Sequence, residues 1–312
     1  MDHLLLPSQD TVSGEPLLHA DPHPALAAPG PMRTRTRPWR HGSLGCDGAA
    51  SLPEVLRSFG SGAVFGEVWG DGPVRVVALH GWRRSHLDFA GVLGPGADRT
   101  GFSTLALDLP GFGATPPPGE PYGSLGYAEV VARAIADVSE PGAEGRMVVL
   151  GHSLGARVAV GLAHGHPEMV AGLVLTGAPL VRAPGRAPRP KAAFRAVRFL
   201  HRAGLVGEER MERARKRHGS DDYRAADGVV REILVRLLAE RYESWIEGLG
   251  CPVDLVWGSA DATSPVPVAE AITHLARSAS LEVIQGVGHL VPTEAPRELR
   301  EAVLRMLEAT GS

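Results

Sequence analysis

One serine in this chain lies between two glycines at a spacing that could support nucleophilic attack on an electrophilic carbon. The segment GHSLG covers residues 151–155, an apolar run at 147–150 precedes it, and a helix-like stretch at 156–164 follows. This order of strand, G-x-S-x-G and helix predicts a nucleophile elbow, a strained turn that exposes the hydroxyl of Ser153 at the end of a buried strand. We expect both glycines to be required because a Cβ at either place would collide with the facing strand or helix.

Two further side chains could activate that serine. Because a serine hydroxyl is a poor nucleophile at neutral pH, it needs a base to take its proton and a third group to hold the base in the right tautomer. The candidate base is His289, in the loop after the strand-like residues 281–284, and the candidate acid is Asp261, just beyond the apolar run at 253–257. All three side chains would then lie at the carboxyl ends of parallel strands, where open α/β sheets place their sites.

Two backbone N–H groups are candidates for an oxyanion hole. One belongs to Leu154, the residue after the candidate nucleophile. The other belongs to Trp82, which follows the strand-like residues 76–79 in the sequence His80-Gly81-Trp82, where Gly81 would permit a tight turn. Loss of one such donor typically costs about 3–4 kcal/mol of transition-state stabilisation.

With these motifs in place, the chain is similar to α/β-hydrolase-fold serine hydrolases of the single-domain class that carries a helical cap. The resemblance covers about residues 60–310. It implies that Ser153 is the nucleophile, Asp261 the acid and His289 the base, and that the two N–H groups named above form the oxyanion hole. The matching segments, in the order of the family, are residues 80–82, 108–113, 151–155, 257–261 and 288–289.

The serine at the elbow argues against two groups of relatives. Haloalkane dehalogenases and epoxide hydrolases of this fold resemble the chain but use aspartate at that position. The segment 108–113 resembles a structural loop of the family, so we assign it no catalytic role. His80 and His152 flank the site, where a structural role and a tuning role both fit. The resemblance implies a reaction that needs neither a metal ion nor an organic cofactor.

Each candidate site residue also has a more ordinary interpretation. Ser153 could be a helix N-cap, His289 an ordinary loop histidine, and Asp261 a capping or turn residue. In some relatives the acid follows the preceding strand, but residues 177–181 offer no carboxylate here. Asp254 lies inside a predicted strand and would point elsewhere.

A mostly parallel sheet is expected to position the site. Residues 63–69 and 74–79 predict two strands joined by the turn signal GDGP at 70–73. Because apolar strands alternate with helical patterns along the chain, we expect an α/β fold, specifically the α/β-hydrolase fold with helices flanking the sheet. Further strands are predicted at 104–107, 147–150, 172–176, 253–257 and 281–284.

The chain divides into three predicted regions. Residues 1–50 lack periodicity and are rich in Pro, Ala, Gly and His, which predicts a disordered or loosely attached tail. Residues 51–181 and 249–312 are predicted to form the hydrolase core. Residues 182–248 contain no strand-like run and are predicted to form a helical cap over the site. Apolar residues at helical spacing in this insertion are Phe194, Val197, Leu200 and Leu205, and then Val229, Ile233, Leu237 and, after a longer gap, Trp245.

Charge and cysteine usage indicate which partners and which cellular location to expect. The net charge of −3 does not favour a nucleic-acid partner. Residues 182–217 hold 12 Lys or Arg against 3 Glu, spread over several helical faces, which favours a solvated surface over attraction of an anionic substrate, a membrane surface or an acidic partner. Cys46 and Cys251 lie in different contexts, so we expect no disulfide and a cytoplasmic location. No apolar run approaches the roughly 20 residues of a membrane span.

The function expected from these features is hydrolysis of an ester, thioester or related acyl bond in a small, fairly apolar substrate. The same triad also supports carbon–carbon bond hydrolysis, amide hydrolysis, perhydrolysis and lyase chemistry, and no local motif selects among them. A ligand-binding protein of this fold with little turnover would keep the same motifs. Because the triad is generic, we expect the cap to decide the substrate.

Overall fold

The computed structural model of the chain describes residues 55–95, 101–139, 145–182, 197, 199–201, 203–218 and 221–312. The predicted tail at 1–50, with Cys46, lies outside these residues, and so does Phe194 of the predicted cap.

Eight strands form a single sheet within the described residues. They are β1 Arg57–Phe59, β2 Val64–Gly70, β3 Val74–Leu79, β4 Ser103–Asp108, β5 Met147–His152, β6 Val170–Thr176, β7 Val253–Gly258 and β8 Ala279–Ile284. Their order across the sheet is β1-β2-β4-β3-β5-β6-β7-β8. β2 pairs antiparallel with both β1 and β4, whereas every neighbouring pair from β4 to β8 is parallel. The predicted mostly parallel sheet of the α/β-hydrolase fold is therefore confirmed.

Helices connect the strands and cover the sheet. In the described ranges they are α1 Ala90–Leu93, α2 Ser124–Val138, α3 Leu154–Gly165, α4 Glu208–His218, α5 Asp221–Ala225, α6 Gly228–Ala239, α7 Glu243–Glu247, α8 Val266–Leu275, α9 Val291–Glu294 and α10 Pro296–Thr310. Short 3₁₀ turns occur at His86–Phe89 and Pro167–Met169.

The central strands are buried on both faces, and successive side chains enter two separate cores. In β5, Val149 packs in the larger core with α2, α3 and α8, whereas Val148 and Leu150 pack in the second core with α1 and α10. This division follows from the two-residue period of a strand, which sends neighbouring side chains to opposite faces. Burial on both faces also explains why the strands have near-continuous apolar sequences.

Within its described residues, the insertion between β6 and β7 contains helices and loops and no strand. Ile233 and Leu237 of α6 are buried, as their spacing predicts. Leu200 and Leu205, from the first predicted apolar stripe, are 37% and 73% exposed, so these two side chains do not enter a core formed by the described residues. The insertion is joined to the core by Arg157 of α3, whose guanidinium donates to the carbonyl oxygen of Leu237 at 2.5 Å.

Among the helices that the structure describes, none combines the length and the apolar character that crossing a membrane requires. Cys251, just before β7, is a free thiol, and burial raises its pKa.

Candidate active site

The serine predicted to be the nucleophile lies in a strained turn between β5 and α3. Ser153 has φ 51° and ψ −102°, a conformation that a residue with a Cβ adopts only when its surroundings impose it. The surroundings do so here, because a Cβ on Gly155 would overlap the carbonyl oxygen of Leu79, and one on Gly151 would lie 2.7 Å from Cα of Ala156. Both glycines are therefore required for the close approach of strand and helix that the sequence predicts.

Two backbone hydrogen bonds hold this elbow between its neighbours in the sheet. The N–H of Ser153 donates to the carbonyl oxygen of Thr176 at the end of β6, at 2.9 Å. The N–H of Gly155 donates to the carbonyl oxygen of His80, just after β3, at 3.0 Å. The elbow is thus fixed against the two strands that flank β5.

A histidine and a buried aspartate form a pair at the ends of β7 and β8. Nδ1 of His289 lies 2.7 Å from Oδ2 of Asp261, whose side chain is 1% exposed, against 22% for His289. The other oxygen, Oδ1, accepts the backbone N–H groups of Thr263 and Ser264, each at 2.8 Å. With one oxygen occupied by backbone donors, the carboxylate presents the other to the imidazole and favours the tautomer with hydrogen on Nδ1, which leaves Nε2 as the basic nitrogen.

The predicted acid and base are therefore in contact, and the base lies next to the elbow. The ring centroid of His289 is 5.0 Å from that of His152, the residue before Ser153. A Cβ on Gly177, which follows β6, would lie 2.9 Å from Cε1 of His289, so the histidine ring packs closely on the strand end that also holds Ser153. Within the described residues, the hydroxyl of Ser153 makes no hydrogen bond. Hydrogen bonds of this kind are often long before a substrate is bound.

The two N–H groups predicted to form an oxyanion hole have no acceptor among the residues the structure describes. Leu154 is the first residue of α3, where a helix leaves its N–H groups without an internal partner. Trp82 lies in the turn after β3, closed by a hydrogen bond from the N–H of Arg84 to the carbonyl oxygen of Gly81 at 3.2 Å.

Gly81 begins this turn without a left-handed backbone. The residue with a left-handed backbone in this turn is Arg83, with φ 57°. Gly81 is needed instead for space, because a Cβ there would lie 2.6 Å from Nδ1 of His152. The buried ring of His80 has a structural role, because it links two loops. Its Nδ1 lies 2.7 Å from the carbonyl oxygen of Gly81, and its Nε2 accepts the N–H of Leu109 at 2.9 Å. Burial lowers the pKa of His80, which favours the neutral ring that this pair of bonds requires.

Asp108, at the start of the loop given no catalytic role, forms a second histidine–aspartate pair. Its carboxylate accepts the backbone N–H of His86 at 2.7 Å, Nδ1 of the same histidine at 2.8 Å, and the N–H of Ala114 at 2.7 Å. Burial raises the pKa of Asp108, but the hydrogen bonds from His86 and Ala114 outweigh it, so the pKa is lowered overall. The carboxylate fixes the loop between β4 and α2, which agrees with a structural role.

Sequence reasoning missed one carboxylate beside the candidate base. Glu294 of α9 accepts the N–H of Gly288 at 2.7 Å and the N–H of Leu290 at 3.2 Å, and so holds the main chain on both sides of His289. A glutamate five residues after a histidine is an ordinary feature of a helix, and no motif identifies it.

A cavity of 290 Å³ lies between the turn after β3 and the insertion. Trp82 and Phe112 line it from the core, with their rings 4.8 Å apart, and Ala226 and Val230 line it from the insertion. Among the described residues, no group of three His, Cys, Asp or Glu side chains is placed to hold a metal ion.

The chain is similar to known hydrolases in both sequence and structure. The model of the alpha/beta hydrolase family matches residues 76–302. A pimeloyl-[acyl-carrier protein] methyl ester esterase of Aeromonas hydrophila subsp. hydrophila is 36% identical over 134 residues, which are 41% of this chain and 48% of that protein. The chain thus matches about half the length of this curated relative.

Two solved esterases have the same fold. An esterase of Thermogutta terrifontis superposes with a TM-score of 0.59 at 22% identity, covering 84% of this chain and 100% of that one. The esterase RhEst1 of Rhodococcus sp. gives a TM-score of 0.61 at 22% identity, covering 83% of this chain and 100% of that one. At this level of identity the likeness concerns the fold.

Proposed function

This chain belongs to the alpha/beta hydrolase family, and from that premise we propose that it is a carboxylesterase-like serine hydrolase. It cleaves an ester or related acyl bond of a small, fairly apolar substrate. The observation that carries the proposal is the contact between His289 and the buried carboxylate of Asp261, at 2.7 Å, beside a serine in a strained turn. The named esterase relatives support the choice of an ester bond.

In the first half of the reaction, Ser153 attacks the carbonyl carbon of the substrate. His289 takes the hydroxyl proton at Nε2, and Asp261 stabilises the imidazolium that forms. The carbonyl electrons move onto oxygen and then return, which expels the alcohol, and His289 gives its proton to that leaving group. The product of this half is an acyl ester of Ser153.

In the second half, water replaces the alcohol. His289 accepts a proton from water, whose oxygen attacks the acyl carbon, and the carboxylic acid leaves as Ser153 regains its proton. In both halves the negative oxygen accepts hydrogen bonds from the N–H groups of Leu154 and Trp82. No metal ion or organic cofactor takes part in these steps.

The free state of those two N–H groups supports their assignment to the oxyanion. An N–H group without a protein acceptor can bind a charge that exists only in the transition state, and that differential binding is what lowers a barrier. The strained backbone of Ser153 persists because the close contacts at Gly151 and Gly155 impose it.

The insertion at 182–248 is the proposed cap that selects the substrate. The cavity between Trp82 and Val230 is lined on one side by the turn that carries the proposed oxyanion donor and on the other by the insertion. A volume of 290 Å³ is at the small end of ligand sites, which are typically about 300–1,000 Å³. Its lining is mixed, because Arg83, Arg84 and Asp227 border it beside the Trp, Phe, Ala and Val side chains, and only the latter would contact an apolar group of a small ester.

The proposal is tested with a fluorophosphonate probe and with short and medium p-nitrophenyl esters. We expect the wild type to be labelled and to hydrolyse esters, and Ser153→Ala to lose both. Ser139→Ala is a matched control, because among the described residues that hydroxyl bonds only the carbonyl oxygen of Ile135, at the end of α2. Absence of labelling and of turnover in folded wild-type protein would contradict the proposal and favour a ligand-binding role.

A further inference from the structure

The ring of His152 is buried where three loops of the proposed site meet. The residue is 1% exposed, and it lies directly before Ser153 at the end of β5. Its Nε2 lies 3.0 Å from the main-chain carbonyl oxygen of His289. On its other side, a Cβ on Gly81 would lie only 2.6 Å from Nδ1. One side chain thus contacts the elbow, the turn after β3 and the loop of the candidate base.

The hydrogen bond to His289 defines the form of the His152 ring. A carbonyl oxygen only accepts, so Nε2 of His152 must carry the hydrogen and donate it. Nδ1 is buried and has no hydrogen-bond partner in the part of the chain that the structure describes. Protonation of Nδ1 would turn the ring of His152 into a buried cation, with no acceptor for the new N–H among the described residues and with the imidazole of His289 next to it. Burial and the neighbouring His289 lower the pKa of His152 to about 4.

The carboxylate of Glu294 holds the main chain before and after His289, because it accepts the N–H groups of Gly288 and Leu290. The carbonyl group between them points to His152, and the loop contains Gly286, with φ 77°, and Gly288. Because glycines give this loop conformational freedom, a bond to the carbonyl group of His289 itself restricts where its imidazole can lie.

We propose that His152 is a positioning residue, which donates from Nε2 to the carbonyl oxygen of His289 and thereby fixes the imidazole of His289 relative to Ser153. The assignment rests on the proposed function. It separates two roles for neighbouring histidines. His289 moves the proton, and His152 stays neutral and holds the loop that carries His289.

The kinetic test compares two substitutions at His152 with one elsewhere. His152→Phe keeps a planar ring but cannot donate, whereas His152→Gln keeps an N–H donor. His166→Phe is the matched control, since that histidine pairs with Glu129 at the surface. We expect kcat for p-nitrophenyl esters and the rate of fluorophosphonate labelling to fall about 10- to 100-fold in the Phe variant, as for a misplaced catalytic group. KM should change far less, and the Gln variant should recover most of the loss.

A readout that does not depend on turnover separates this proposal from the proposed function. Long-range ¹H–¹⁵N spectra of the histidine rings of wild-type protein, assigned with the variants, report which nitrogen of His152 carries hydrogen. We expect the neutral Nε2–H form at pH 7, and a displaced signal from His289 in His152→Phe. If wild type neither reacts with the probe nor hydrolyses esters, the proposed function fails, and these spectra still decide the contact.

Three results would overturn the positioning role. The first is a folded His152→Phe variant with the kcat of wild type. The second is a Gln variant as slow as the Phe variant although both melt near the wild-type temperature. The third is a wild-type spectrum with hydrogen on Nδ1 of His152, or on both nitrogens, at pH 7. If the Phe variant does not fold, the Gln variant and the wild-type spectrum decide.

Discussion

The loop region that holds His289 with Asp261 and the loop region that holds His86 with Asp108 are built from the same parts. The Nδ1–carboxylate distances are 2.7 and 2.8 Å, and the carboxylate side chains are 1% and 2% exposed. Each carboxylate also accepts two backbone N–H groups. By local geometry alone, the two pairs would be assigned the same role.

The two pairs differ in what surrounds the second nitrogen of the imidazole. Nε2 of His86 is buried, without a hydrogen bond to any described residue, and lies 3.6 Å from Oε1 of Glu67. Its ring packs against Trp69, with centroids 5.9 Å apart. The ring of His289 is instead more exposed and lies beside the elbow. A histidine–aspartate pair therefore indicates chemistry only where an accessible nucleophile and open space complete it, and otherwise it fixes a loop.

The largest expected effect separates the two aspartates by activity. In Asp261→Asn the side-chain amide faces Nδ1 of His289 and favours the wrong tautomer, so we expect kcat to fall about 10³- to 10⁴-fold. The melting temperature should change little, because the remaining oxygen can still accept Thr263 and Ser264. Ester hydrolysis and thermal unfolding of the same preparation check this. A kcat within tenfold of wild type would remove the proposed distinction.

The reciprocal substitution should act on stability. Asp108→Asn places an amide among three donors in a buried site, and removal of one partner of a buried pair typically costs about 3–5 kcal/mol of unfolding free energy. Urea unfolding measures that loss, and kcat per folded molecule should stay within a few-fold of wild type. If Asp108→Asn instead abolished turnover of fully folded protein, the second pair would belong to the site.

Much of the fold could be predicted from the sequence because its signals are local. Strand β3, Val74–Leu79, has the predicted bounds. The apolar runs before Ser153 and Asp261 are strands that begin where predicted and continue two residues and one residue further. The steric reason that the sequence predicts for the two glycines of the elbow is confirmed, because a Cβ on either would overlap the neighbouring backbone, and the five-residue motif is enough to predict this.

The remaining features depend on contacts between distant residues. Strand β1 has three residues, too few to show a period, and it exists because it pairs with β2. The contact of Glu294 with the His289 loop arises from the folded chain and has no motif. The family resemblance predicts a structural loop at residues 108–113. It does not predict that the partner of Asp108 is His86, 22 residues away, because no spacing rule identifies that pair.

A pH experiment sharpens the comparison by a smaller effect. Burial lowers the pKa of His86, but Asp108 and Glu67 outweigh it, so its pKa is raised above 6.5. A raised pKa in the folded state stabilises the protein fully below the unfolded value, and this contribution is lost as pH rises through the folded value. A tenfold difference in proton affinity between the folded and unfolded states corresponds to about 1.4 kcal/mol of stability. The stability difference between wild type and His86→Gln should therefore be larger at pH 6 than at pH 9, as urea unfolding at both values can measure. A difference that grows with pH would reverse this interpretation.

The smallest effect on stability is expected at a third histidine–carboxylate pair, His166 with Glu129. Its distance is similar to those of the other two pairs, but it is less buried and has different neighbours. Nε2 of His166 lies 2.9 Å from Oε1 of Glu129, and these side chains are 23% and 59% exposed. Water screens such a pair and long side chains lose freedom in forming it, so His166→Gln should change the unfolding free energy by less than about 1 kcal/mol. Any change should shrink further in high salt, and ester turnover should be unaltered. Urea unfolding at two ionic strengths checks this, with Glu129→Gln as the companion variant. A loss as large as that of Asp108→Asn would mean that distance, rather than burial and neighbours, decides what a histidine–carboxylate pair contributes.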